Sequence, residues 1–139
     1  MTQFATILRT RTRGRGLYEF TRDIAAWVDG QRLETGLLTL FCRHTSASLL
    51  VQENAAPAVR DDLEAFFEAI APEDEGRYAH DDEGPDDMPA HIRAALTNVS
   101  LSIPIVAGRL ALGTWQGVYL FEHRRAPHLR EVAAHLIGD

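Results

Sequence analysis

The sequence predicts an α+β fold: largely antiparallel β-sheets packed together as a sandwich, with two or three helices flanking them. Three observations lead there. Strand-like and helix-like stretches are mixed along the chain rather than segregated. The C-terminal third is dense in β-favouring residues. Its strand-like segments are joined by connections too short for the crossover a parallel pair requires. A length of 139 residues and an apolar share of 45% suit one domain, residues 1–139, with a single core.

The elements follow in order. TQFATILRTR (2–11) sets Phe4, Thr6 and Leu8 on one face of a first strand. Arg9, Arg11, Arg13 and Arg15 fall at every second position. A charged, solvated edge strand explains them more simply than a phosphate-binding edge does. Gly14 and Gly16 end the strand. EFTRDIAAWVDG (19–30) spaces Phe20, Ile24, Trp27 and Val28 as a helix, with Gly30 as its stop. TGLLTLFCRH (35–44) reads as a buried strand, and SASLLVQE (46–53) as a second close behind. PAVRDDLEAFFEAIAP (57–72) is the clearest helix: Pro57 suits its first position, and Val59, Leu63, Phe66, Phe67 and Ile70 form the expected buried stripe. The acidic stretch 73–87 is a loop. PAHIRAAL (89–96) is a short helix opened by Pro89, which puts His91 in its first turn. VSLSIPIVAG (99–108), RLALGTWQGVYLFEH (109–123) and REVAAHLI (130–137) are three further strands.

Bulk properties narrow the function. A net charge of −6 repels nucleic-acid phosphates. No apolar run approaches the ~20 residues of a membrane span, and the first residues lack the apolar stretch of a signal peptide. The lone Cys42 excludes an internal disulfide and fits a reducing compartment, so the expected location is cytoplasmic, with neither nucleic acid nor membrane as partner. Phosphate-loop, dinucleotide-binding, zincin, CxxC and nucleophile-elbow signatures are missing.

Chemistry then concentrates in the histidines and acids. His123, His128 and His135 read as structural or exposed. His44 ends an apolar strand and enters HTSAS, where small polar residues leave backbone and hydroxyl groups accessible. His80 is followed directly by carboxylates, which orient imidazoles in metal sites. His91, near a helix start, is favoured as the neutral, metal-binding form. Three histidines from three segments are the usual donor set of a catalytic zinc site, although gaps of 36 and 11 residues match no short ligand motif. Gly84, Pro85 and Pro89 stiffen the acidic loop as a scaffold would. Asp86 and Asp87 precede the helix; one is expected to cap it, the other to orient a histidine or hold a cation. Trp115 is expected to pack inside, with Gln116 and Glu122 balanced between site and structure.

HTSASL with EN after it, HDDEGPDDMPAH, SIP and above all GRLALGTWQGVYLFEHR resemble the YjbQ, or UPF0047, family, whose members are often labelled secondary thiamine-phosphate synthase. The resemblance covers about residues 5–138. It implies a homotrimer with a pocket lined by His44, His80 and His91, near a subunit boundary, that holds an anion or a divalent metal, Zn or Mg. It also implies weak thiamine-phosphate synthase activity: joining a pyrimidine methyl diphosphate to a thiazole phosphate with loss of diphosphate. On that reading Thr45, Ser46 and Ser48 donate to phosphate, Gln116 meets the substrate, and Asp86 or Asp87 orients a histidine or accepts a proton. The alternatives are a metal-dependent hydrolase with Asp86, Asp87 or Glu122 as base, and a non-catalytic trimer that binds a metabolite or metal.

Overall fold

Two antiparallel sheets carry the chain, described for residues 1–139 by a computed structural model. The elements are β1 (Thr2–Arg11), β2 (Gly16–Glu19), α1 (Thr21–Gln31), β3 (Thr35–Cys42), β4 (Ala47–Glu53), α2 (Pro57–Ile70), α3 (Asp87–Leu96), β5 (Ser100–Val106), β6 (Arg109–Leu110), β7 (Gln116–Glu122) and β8 (Leu129–Gly138). One sheet has the order β1-β8-β3-β5-β6 and the other β2-β7-β4. The predicted α+β sandwich is what forms.

Alternation in the strands builds the core. Leu38, Leu40 and Cys42 point inward from β3, Ile103 and Ile105 from β5, and Val132, Ala134 and Leu136 from β8. In register, Leu38 faces Leu136 on one side and Ile103 on the other. The second sheet contributes Leu49, Val118 and Leu120, and α1 contributes Ile24 and Val28. Each large side chain buried this way stabilises the fold by roughly 1.5–3 kcal/mol. Helices α2 and α3 cover the opposite face of the three-stranded sheet. There Phe67 of α2 meets Phe121 of β7 edge-on, with ring centres 5.3 Å apart.

The structure corrects several boundaries. Helix α1 runs through Gly30 to Gln31, and Arg32 takes the left-handed cap at φ 59°, its N–H bonded to Asp29 O. The stripe on α2 is narrower than expected. Phe67 is buried, but Phe66 is 58% and Ile70 40% exposed, because the helix meets the sheet along one line. Helix α3 starts two residues before Pro89, so His91 lies one turn inside. The segment 109–123 is two strands rather than one. Between them Gln116 N–H bonds to Gly113 O, making a turn that leaves Trp115 exposed instead of packed.

Candidate metal centre

The loop before α3 shapes the site. Gly84 adopts φ 99°, which an L side chain rarely tolerates, and its carbonyl accepts from Asp87 N–H at 3.3 Å. Asp86 stands at the helix N-cap position yet makes no capping bond. Its carboxylate is taken by the segment after β7: Arg124 Nε donates to Oδ2 at 3.0 Å and Arg125 N–H at 2.9 Å. Burial by itself would raise the Asp86 pKa, but these bonds outweigh it and hold the carboxyl below its usual range. The same guanidinium reaches Asp87, with Nη1 2.7 Å from Oδ1. Arg124 thus fixes both acids at the end of α3.

Asp87 is the buried floor of the site, at 2% exposure. Its Oδ2 lies 2.9 Å from His80 Nε2 and 3.1 Å from His91 Nε2. His80 comes from the acidic loop and His91 from one turn further along α3. All three ligand atoms lie within 4.8 Å of one another. The outer sides of both rings face solvent, with side chains 43% and 32% exposed.

His91 Nδ1 is 3.1 Å from the carbonyl oxygen of Thr45, which only accepts, so Nδ1 carries the hydrogen. In the neutral ring Nε2 is then a bare lone pair aimed at a carboxylate oxygen that also has only lone pairs. His80 has carboxylates on both sides: Asp82 Oδ1 is 3.3 Å from Nδ1, and Asp87 faces Nε2. A neutral ring satisfies only one of them. The cluster is short of positive charge at its centre, which a proton or a metal cation supplies. Two imidazole nitrogens and one carboxylate oxygen suit zinc chemically. Donors at 2.0–2.1 Å from a tetrahedral ion sit about 3.3 Å apart, near the two carboxylate–imidazole spacings found here. A cleft of about 310 Å³ adjoins His80, walled by Tyr78, Pro85 and Met88.

Other expected site residues lie elsewhere. His44 is not brought to this cluster. Its Nε2 accepts from Glu131 N–H of β8 at 2.7 Å, and its loop gives His91 the Thr45 carbonyl instead of an imidazole. Ser48 is fully buried, bonded to His123 Nε2 at 2.9 Å and to Thr97 Oγ1, and cannot reach a ligand. Ser46 accepts from Arg130 Nη2 through both O and Oγ. Gln116, expected to meet the substrate, is exposed and accepts from Gly113 N–H, closing a turn away from the cluster. Glu122, expected as a candidate base, is buried and ion-paired away from the cluster. Burial would raise its pKa, but Arg130, Thr12 and the Arg124 N–H bond it on every side and hold it low. His123 is structural as expected: burial pushes it down to about 3, so it stays neutral.

Sequence reasoning missed Arg124 and Arg130. The signal was the pair Arg124–Arg125 directly after Glu122 and His123, where a strand end releases two cations toward an acid-rich loop.

Residues 5–139 match the family described as UPF0047 protein YjbQ-like. The chain belongs to the UPF0047 family. The UPF0047 protein sll1880 of Synechocystis is 56% identical over 137 residues, covering 99% of this chain and 93% of the relative. UPF0047 protein YjbQ of Escherichia coli O157:H7 is 44% identical, covering 95% and 96%. Among solved structures, the conserved hypothetical protein TT1486 of Thermus thermophilus superposes with a TM-score of 0.84 at 37% identity, covering 95% of this chain and 99% of that one. The two-sheet UPF0047 architecture is therefore shared, and the His80–Asp87–His91 cluster sits on that framework.

Proposed function

We propose that this UPF0047 protein is an enzyme on phosphorylated small molecules, working at a divalent-cation centre formed by His80, Asp87 and His91. The observation that carries the reading is the convergence of two imidazole nitrogens and a buried carboxylate oxygen within 4.8 Å of one another. Nitrogen donors favour zinc or a neighbouring transition ion over magnesium, which prefers an all-oxygen shell. Such an ion, when bound, supplies a Lewis acid for phosphate oxygens. The chain's own contribution is positional. Arg124 fixes Asp87 from the Oδ1 side, Thr45 O sets the His91 tautomer, and the solvent-facing sides of both rings leave room for substrate.

Joining a pyrimidine methyl diphosphate to a thiazole phosphate, with release of diphosphate, is the reaction to try first, on the strength of the family resemblance. A hydrolase needs a carboxylate free to take a proton from water. Asp86 and Glu122 are both engaged by arginine, and Asp87 is taken by Arg124 and the two histidines, which puts group transfer ahead.

The test combines metal analysis of the purified protein with an assay of diphosphate release, with and without chelator. We expect His80→Ala with His91→Ala to lose bound metal and to reduce turnover to background. Unchanged turnover in that double variant would remove the assigned site. Metal and ligand binding without turnover on any phosphorylated substrate would make the protein a binding module instead.

The proposal includes a homotrimer. Leu37 and Phe41 on the outer face of β3 are 40% and 48% exposed, and Ala5, Ile7 and Ala133 border Phe41 in a shallow apolar depression. A second copy of the chain is the natural cover for such a face.

A further inference from the structure

A second cleft, of about 690 Å³, opens beside the loop whose Thr45 carbonyl holds His91. Arg43, His44, Thr45, Ser46 and Arg130 line its polar side and Phe41 its apolar side; no carboxylate lines it. The donors there are unspent. The Arg130 side chain is only 5% exposed, and its Nε and Nη2 are committed to Glu122 and Ser46. Its Nη1 has no partner in the chain and is not among the polar atoms sealed from solvent, and Arg130 is one of the residues that line the cleft. A guanidinium locked by an ion pair on one edge and free on the other is a preorganised donor for an oxyanion.

His44 adds a second donor. Its Nε2 accepts from Glu131 N–H at 2.7 Å, so the hydrogen of the neutral ring is on Nδ1, which has no partner in the chain. The Thr45 hydroxyl is likewise unpaired. The Ser46 Oγ accepts from Arg130 and keeps its own hydrogen free. Arg43 stands at the rim, sharing the half-buried Glu131 with Arg9 through contacts of 3.5 and 3.2 Å from exposed arginine side chains, a weak claim on its charge.

We infer that this cleft binds the phosphate monoester end of a small organic molecule, through Arg130 Nη1, His44 Nδ1–H and the Thr45 and Ser46 hydroxyls, with the organic body against Phe41. The inference rests on the reading of the protein as one that acts on phosphorylated molecules. It gives His44 a different task from the metal ligation its sequence context suggested. The loop joins the two sites, since Thr45 lines the cleft and orients His91.

Inorganic phosphate titrated into the chelator-treated full-length protein tests this, followed by calorimetry and by amide NMR shifts. Binding should saturate and shift the amides of residues 43–46 and Arg130. Arg130 also holds buried Glu122, so its variants would report folding. His44→Ala and Thr45→Ala carry the test, and each should weaken phosphate by about tenfold, the value of one charged hydrogen bond. His80→Ala should leave phosphate affinity within about twofold while removing any bound metal. Shifts centred on His80 and His91, unchanged affinity in both loop variants, or no saturable binding would overturn the inference. Phosphate at the loop of a protein that binds no metal would instead remove the metal centre and leave this site standing.

Discussion

Asp86 and Asp87 adjoin in sequence but do different things, and Arg124 is the reason. The guanidinium takes Asp86 through Nε and Asp87 Oδ1 through Nη1, leaving Asp87 Oδ2 for the histidines. Asp86 has a folded pKa below its unfolded one. Its contribution is therefore complete above the ordinary aspartate range, near about pH 4, and is lost as pH falls through the lowered value. Asp86→Asn should cost about 1–3 kcal/mol at pH 7 in urea unfolding, with the gap to wild type closing in acid. His123 gives a second pH effect. Burial, helped by Arg93 and Arg130, lowers it from 6.5 to about 3. The unfolded chain binds a proton that the folded one refuses, so stability drops as pH falls from about 6.5 toward 3, by up to about 1.4 kcal/mol per pH unit. His123→Gln should be less stable at pH 7 but show a flatter profile across that window; an unaltered slope would place the acid sensitivity elsewhere. At this scale the sequence showed the acidic loop and its two histidines. It hid Arg124, which lies 37 residues beyond Asp87 and meets it only because β7 ends beside α3.

Elements with strict alternation were legible, and those judged by helical spacing were legible only in part. β3, β5 and β8 place their inward residues as period two demands. Helix α2 has the right spacing, yet spacing does not say how wide a face its neighbour offers. Phe66 and Phe67 make the difference measurable. Phe67 packs on Phe121, so Phe67→Ala should cost about 3–5 kcal/mol in thermal or chemical unfolding. Phe66→Ser should change stability by no more than about 1 kcal/mol, since that ring is 58% exposed. Equal losses would mean that α2 packs through the full predicted stripe. Trp115 follows the same logic. Its neighbours read as one continuous strand, but the Gly113–Gln116 turn interrupts the ladder and turns the indole outward.

For the whole molecule, the five-stranded sheet raises the question of its second face. Strand β3 reads as apolar on both sides, as if buried on both, and Leu37 and Phe41 lie on the side that no element of the chain covers. Its neighbours in register are Ile137 and Ala133 of β8, so the apolar character crosses strands. A sequence pattern of double burial with single burial in one chain is resolved when copies assemble, the proposed trimer. Phe41→Glu places a charge in the middle of that face without disturbing Leu38 or Leu40 on the inner side. Sedimentation of the wild-type protein should give three times the chain mass of 15.5 kDa, and the variant should sediment as a folded monomer with unchanged far-ultraviolet circular dichroism. A wild-type monomer would rule out the trimer. Because Phe41 also walls the cleft beside His44, the variant should weaken binding of a phosphate that carries an apolar body more than binding of inorganic phosphate.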